Sequence, residues 1–143
     1  MTAKEYLQQY RDAVRRAKAA MDHLDELRAM AERITPNYSG GCGTHQTDDR
    51  LGNAIAKIVD AEARVDQEIT MLIATEREVE WTINAVDNSI FRKLLYERYI
   101  NGKTWEMIAV LLHYSHQHVV HVLHPKALNA VKHLIESNIR PVL

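Results

Sequence analysis

The side chains with the most chemical potential crowd into residues 113–124, where His113, His116, His118, His121 and His124 surround Ser115 and Gln117. Two imidazoles three apart on a helix, as in His118 with His121 or His121 with His124, can share a metal ion, with His113 or His116 approaching from a preceding turn. The same groups can instead meet DNA, solvent or a protein partner through hydrogen bonds, and this is the reading preferred here, with no cofactor and no metal site. A second cluster, Cys42, His45, Asp48 and Asp49, offers ligand types but only one Cys and one His where zinc sites use spaced pairs. Turn chemistry is expected there, with Asp48 or Asp49 capping the helix that follows. Catalysis lacks its parts. No glycine loop precedes a phosphate-binding Lys, no Ser or Cys nucleophile has an evident base, and no paired carboxylates share a plausible cleft. A non-enzyme is expected.

Helices must position these groups. Thr2 and Glu5 are spaced as a capping box, so a helix begins at about Ala3. Leu7, Tyr10, Val14, Ala17, Met21, Leu24, Leu27 and Ala31 then recur at alternating intervals of three and four, which predicts one apolar seam ending at Thr35-Pro36. Residues 36–50 hold Gly40, Gly41 and Gly43 and read as a flexible loop. From Leu51 to about Ala85 the alternation returns in Leu51, Ile55, Ile58, Val65, Ile69, Leu72, Val79 and Ile83, interrupted by Glu62 and Glu76. Two rods of this kind imply a long antiparallel coiled-coil hairpin over residues 1–86, since each stripe would otherwise face water.

Asp87, Asn88 and Ser89 form a polar break, and a head over 87–143 follows. Ile90, Phe91, Leu94, Leu95, Arg98 and Tyr99 line a helix stopped by Asn101-Gly102. Thr104 opens a short helix with Trp105, Ile108, Ala109 and Leu112 inward. His113-Tyr114 turns the chain, and Ser115 caps a helix carrying Val119, Val122 and Leu123. A short helix, a tight turn and a Ser-capped helix are the parts of a helix-turn-helix, with Ala109 small enough for a close crossing. Pro125 should disturb the last helix, because it cannot donate to the carbonyl of His121. The expected class is therefore all-α.

Composition agrees with a folded chain: 143 residues, 46% hydrophobic and 26% charged, which excludes a low-complexity polymer. No apolar run is long enough to span a bilayer and the N-terminus carries no signal-like apolar stretch, so a cytoplasmic location and no membrane partner are expected. The single Cys42 rules out an intrachain disulfide. Net charge is −1, yet residues 1–89 carry 11 Lys/Arg against 16 Asp/Glu while residues 90–143 carry 7 against 3. That division points to nucleic acid as a partner of the C-terminal part.

The string from Tyr96 through Arg98, Tyr99, Asn101, Gly102, Lys103, Thr104, Trp105, Ile108 and Ala109, then Tyr114-Ser115, Val119 and Ala127-Leu128, resembles sigma-70 region 4. More narrowly it is similar to a phage and prophage family of sigma-region-4-like proteins akin to the RinA and ArpU late-transcription regulators. The order of arm, Gly-rich loop near residue 40 and head follows that family too. The resemblance implies a phage-encoded DNA-binding transcription regulator, with double-stranded DNA as partner and RNA polymerase touched by the arm. It places Ser115, His116, Gln117, His118 and His121 against bases or phosphates, and Lys103 and Thr104 near the backbone. Two departures stand out: His116, His118, His121 and His124 occupy an outward face where the family commonly has Arg or Lys, and one extra residue precedes Ala127-Leu128. Neutral imidazole offers phosphate no attraction at pH 7. The alternative is a phage-encoded protein-binding factor that sequesters host RNA polymerase or a defence nuclease. A homodimer through the arm or head would cover apolar residues such as Ile73 and Trp81.

Overall fold

The computed structural model of the chain describes residues 1–34 and 44–137, with 44–48 as backbone alone, and every regular element among these residues is helical. Helix α1 is Ala3–Ile34 and α2 is Thr44–Asn84. Helix α3, Ser89–Leu95, runs into a π turn at Tyr96–Ile100. Helix α4 is Trp105–Leu112. Helix α5, His116–His118, continues through a second π turn at Val119–Leu123 into α6, His124–Glu136.

Local chemistry accounts for the helix starts. Thr2 N–H donates to Glu5 Oε2 at 2.8 Å and Glu5 N–H to Thr2 Oγ1 at 3.2 Å, a reciprocal cap. Asn88 Oδ1 accepts from the amides of Ile90 and Phe91, and Thr104 Oγ1 and Ser115 Oγ cap α4 and α5. One boundary differs from expectation. Residues 44–50, expected in a loop, are the first turns of α2, so Asp48 and Asp49 lie inside the helix and do not cap it. Nothing between Thr44 and Arg50 is Gly or Pro, and polar side chains alone do not end a helix. Cys42 and the rest of the expected loop over 36–43 lie outside the described residues, as do the side chains of His45 and Asp48.

The chain divides into two compact units, Met1–Ala13 with Ile73–Leu143, and Val14–Leu72. The boundary expected at residue 87 falls inside the first. Its core joins Tyr6 and Leu7 from α1, Val79 and Ile83 from α2, and Val86 with Leu94, Leu95, Tyr99, Ile108, Ala109, Val119, Leu123, Ala127 and Val131. Leu7, Ile83, Leu94, Leu95 and Ile108 are fully buried, and each contributes about 1.5–3 kcal/mol relative to an exposed position. The Tyr6 hydroxyl, buried with this core, meets Thr82 Oγ1 at 2.9 Å and donates to Glu78 Oε1 at 3.2 Å. The ends of both long helices are thus part of this core.

The second unit packs α1 on α2 with smaller side chains. Arg16 pairs with Glu68 at 3.5 Å and Arg28 with Glu62 at 3.2 Å, so a later residue of α1 meets an earlier one of α2 and the two run antiparallel. Ala17, Ala20, Leu24 and Ala61 are buried, and Leu27, Ile58, Val65 and Leu72 are half-buried. Val14, Met21 and Ile55, expected in the seams, are exposed. The α1 seam keeps the expected Ala17 and Leu24 but shifts by one residue at two places, where Ala13 and Ala20 are buried and the larger neighbours Val14 and Met21 stand in solvent. Glu62 is a solvent-side partner of Arg28, and the carboxylate inside the seam is Glu68.

Candidate nucleic-acid interface

The site is built on the corner between α4 and α5. Helix α4 ends where His113 adopts left-handed geometry, φ 61° and ψ 37°, which lets Tyr114 N–H reach the Ala109 carbonyl at 3.1 Å. A non-glycine residue there carries strain of about 1 kcal/mol. Ser115 then caps α5 through the His118 amide. Ile108, Ala109 and Val119 are buried where the two arms of the corner meet.

This corner presents most of the expected side chains to solvent. Ser115, His116, Gln117 and His121 are exposed, and His118 is half-buried with its ring stacked on Tyr114 at 5.0 Å. Lys103 and Thr104 sit at the start of α4. The groups are linked across the corner: His116 Nε2 lies 3.4 Å from Glu106 Oε1, two residues beyond Thr104. A hydrogen bond from its own backbone N–H, with smaller help from His116, holds the exposed Glu106 carboxyl below its ordinary range. Lys103 Nζ is 2.7 Å from Glu97 Oε2, so its charge is matched. That contact and a hydrogen bond from Asn101 hold Glu97 below the usual carboxylate range.

His124 departs from the expected outward row. It is buried, 9% exposed, with Nε2 2.7 Å from the Tyr99 hydroxyl and its ring 4.5 Å from that of Trp105. Burial, reinforced by Lys4 and Arg98, pushes its imidazole down to about 4, and burial pushes the Tyr99 phenol up to about 12. Both are neutral at pH 7 and hold one another by a neutral hydrogen bond. The signal was in the sequence: His124, Ala127 and Val131 are spaced as one helical face, and the latter two are fully buried. Among the described residues no three of His, Cys, Asp or Glu are grouped to hold a metal ion.

The disturbance expected at Pro125 takes the form of the π turn just before it. The His124 amide donates to the Val119 carbonyl, five residues back, and helical dihedrals continue through His124. A wider turn absorbs one additional residue, and it accommodates a proline that has no N–H to give. The π turn at Tyr96–Ile100 brings Tyr99 to His124 from the other side, and its end is fixed by Asn101 N–H donating to Tyr96 O and Lys103 N–H to Glu97 O.

Four residues not singled out for the site, Arg98, Trp105, Arg11 and Gly102, meet at the turn that joins this π turn to α4. Arg98 lies over the Trp105 ring at 4.4 Å while its Nη1 donates to the Lys103 carbonyl at 3.0 Å. Arg11 of α1 reaches Gly102, which has φ 70°, and its guanidinium fills the space that a Cβ would occupy. No local pattern foretells that meeting. No family model, curated protein or solved structure matches this chain.

Proposed function

We propose that the protein is a phage-encoded DNA-binding transcription regulator in which α4, the His113-Tyr114 turn and α5 act as a helix-turn-helix resembling sigma-70 region 4, carried by a coiled-coil hairpin. The observation that supports this best is the display of Ser115, His116, Gln117 and His121 along one Ser-capped helix start, beside the Lys103-Thr104 turn. A helix start of this kind fits the major groove, where Gln117 can bond an adenine edge through two hydrogen bonds. Affinity is modest, because His replaces Lys or Arg on the reading face and Glu106 stands next to His116. The test spans pH 6 to pH 8, since an imidazolium attracts phosphate and a neutral imidazole does not.

Electrophoretic shift of the full chain on phage promoter DNA across that range is the test. His121→Ala should weaken binding severalfold at pH 6, and Gln117→Ala should cost about 1–3 kcal/mol and relax base preference. Binding that ignores pH and survives His121→Ala removes the imidazoles from the account.

A second reading, a factor that holds a host polymerase or nuclease without touching DNA, is favoured by one observation: the Glu106 side chain is 74% exposed beside the reading helix and repels phosphate. Recovery of a stoichiometric host protein together with no shift of any duplex would select it.

A further inference from the structure

We infer that Arg11, on the first helix and far from the reading helix in sequence, is a phosphate-contacting residue of the DNA interface, delivered to it by Gly102. This rests on the DNA-binding reading above.

Three cations meet at the turn before α4, and their partners differ. Lys103 is paired with Glu97, and Arg98 is spent on the Lys103 carbonyl and the Trp105 face. Arg11 makes no hydrogen bond or ion pair among the described residues, although it is half-buried and its guanidinium lies against Gly102. A guanidinium presents five donors in a planar fork suited to two oxygens of one phosphate, so one held in place without a protein acceptor is prepared for an anion.

Its placement fits the remainder of the interface. Gly102 is followed directly by Lys103 and Thr104, and Glu106 in the first turn of α4 touches His116. Arg11, the α4 start and the reading helix therefore form one continuous series of neighbours. Of the two carboxylates on that series, Glu97 is paired with Lys103 and Glu106 lies beside His116, and neither is paired with Arg11. Gly102 is needed twice, for its positive φ and because any side chain would displace the guanidinium. A phosphate contact carries no base information, so Arg11 adds affinity without sequence preference.

The experiment measures binding of the full chain to a fluorescent duplex over a salt series of about 50–200 mM, for the unaltered protein, Arg11→Gln and Arg11→Lys. Loss of one phosphate contact should lower affinity roughly tenfold at the low-salt end and reduce the slope of log K against log salt by about 0.9. The loss should be alike on promoter and unrelated DNA, and Arg11→Lys should restore the slope while recovering only part of the affinity. An Arg11→Gln chain that unfolds earlier yet keeps the parent slope makes Arg11 a purely structural residue and overturns the inference alone. Failure of the unaltered chain to bind any duplex overturns this inference and the DNA-binding reading together.

Discussion

His124 illustrates how a residue type associated with surfaces and metals becomes part of a core. Its imidazole is held neutral by burial at about 4, while an unfolded chain returns it to ~6.5. Above ~6.5 both states are neutral and the group adds no pH dependence. As pH falls from there toward 4 the unfolded chain takes the proton first, so stability declines by on the order of 1–3 kcal/mol over that window. His124→Gln should remove this part of the acid sensitivity, seen as a smaller difference between urea midpoints at pH 7 and pH 5; an undiminished difference assigns the sensitivity elsewhere. Tyr99→Phe deletes one hydrogen bond and leaves His124 without its partner, at a cost of about 1–3 kcal/mol at pH 7. His113 works in the opposite direction. Its left-handed backbone would suit glycine, and His113→Gly should raise stability by about 0.5–1 kcal/mol, read from urea unfolding; a loss of stability contradicts the strain assigned to His113.

Among the elements, the Val14–Leu72 unit depends on alanines at Ala17, Ala20 and Ala61, which permit close approach and bury little area each. Enlarging one wedges the helices apart where they approach closely: Ala20→Leu should cost about 1–3 kcal/mol by overpacking, measured by thermal unfolding. Glu68 tests the same seam electrostatically. Its Oε2 is buried with Arg16 Nε 3.5 Å away, too distant for a good hydrogen bond, so the carboxylate is poorly compensated. Arg16→Ala should therefore destabilise more than Glu68→Leu, which removes the desolvated charge itself. If Glu68→Leu is the more damaging of the two, the ion pair is a net stabiliser. The elements also show what the sequence could and could not reveal. Capped starts at Thr2, Asn88, Thr104 and Ser115 were legible because donor and acceptor lie within three residues of one another. Seam phase was only partly legible, since Ala13 and Val14, like Ala20 and Met21, are adjacent and both apolar, and only packing decides which of each pair is buried. The π turn at Tyr96–Ile100 left no sign in the sequence, whereas the one at Val119–Leu123 was foreshadowed by Pro125 and the additional residue before Ala127-Leu128.

For the molecule as a whole, charge separation and exposed apolar groups set its behaviour. The C-terminal 54 residues carry net +4 and the first 89 net −5, so the proposed DNA binding belongs to the C-terminal part and its affinity should fall with added salt. No described helix is long and apolar enough to cross a membrane. Ile55, Val59 and Met71 leave α2 with large exposed apolar side chains, and self-association through them would show as a concentration-dependent mass in sedimentation. The most direct measurement is an NMR titration of the labelled full chain with a phage-promoter duplex at pH 6. Amide shifts confined to Lys103, Thr104 and Ser115–His121, with the Arg11 side-chain signal moving in step, are the predicted result. A titration in which those resonances stay fixed while the duplex is bound elsewhere, or is not bound, would contradict the account.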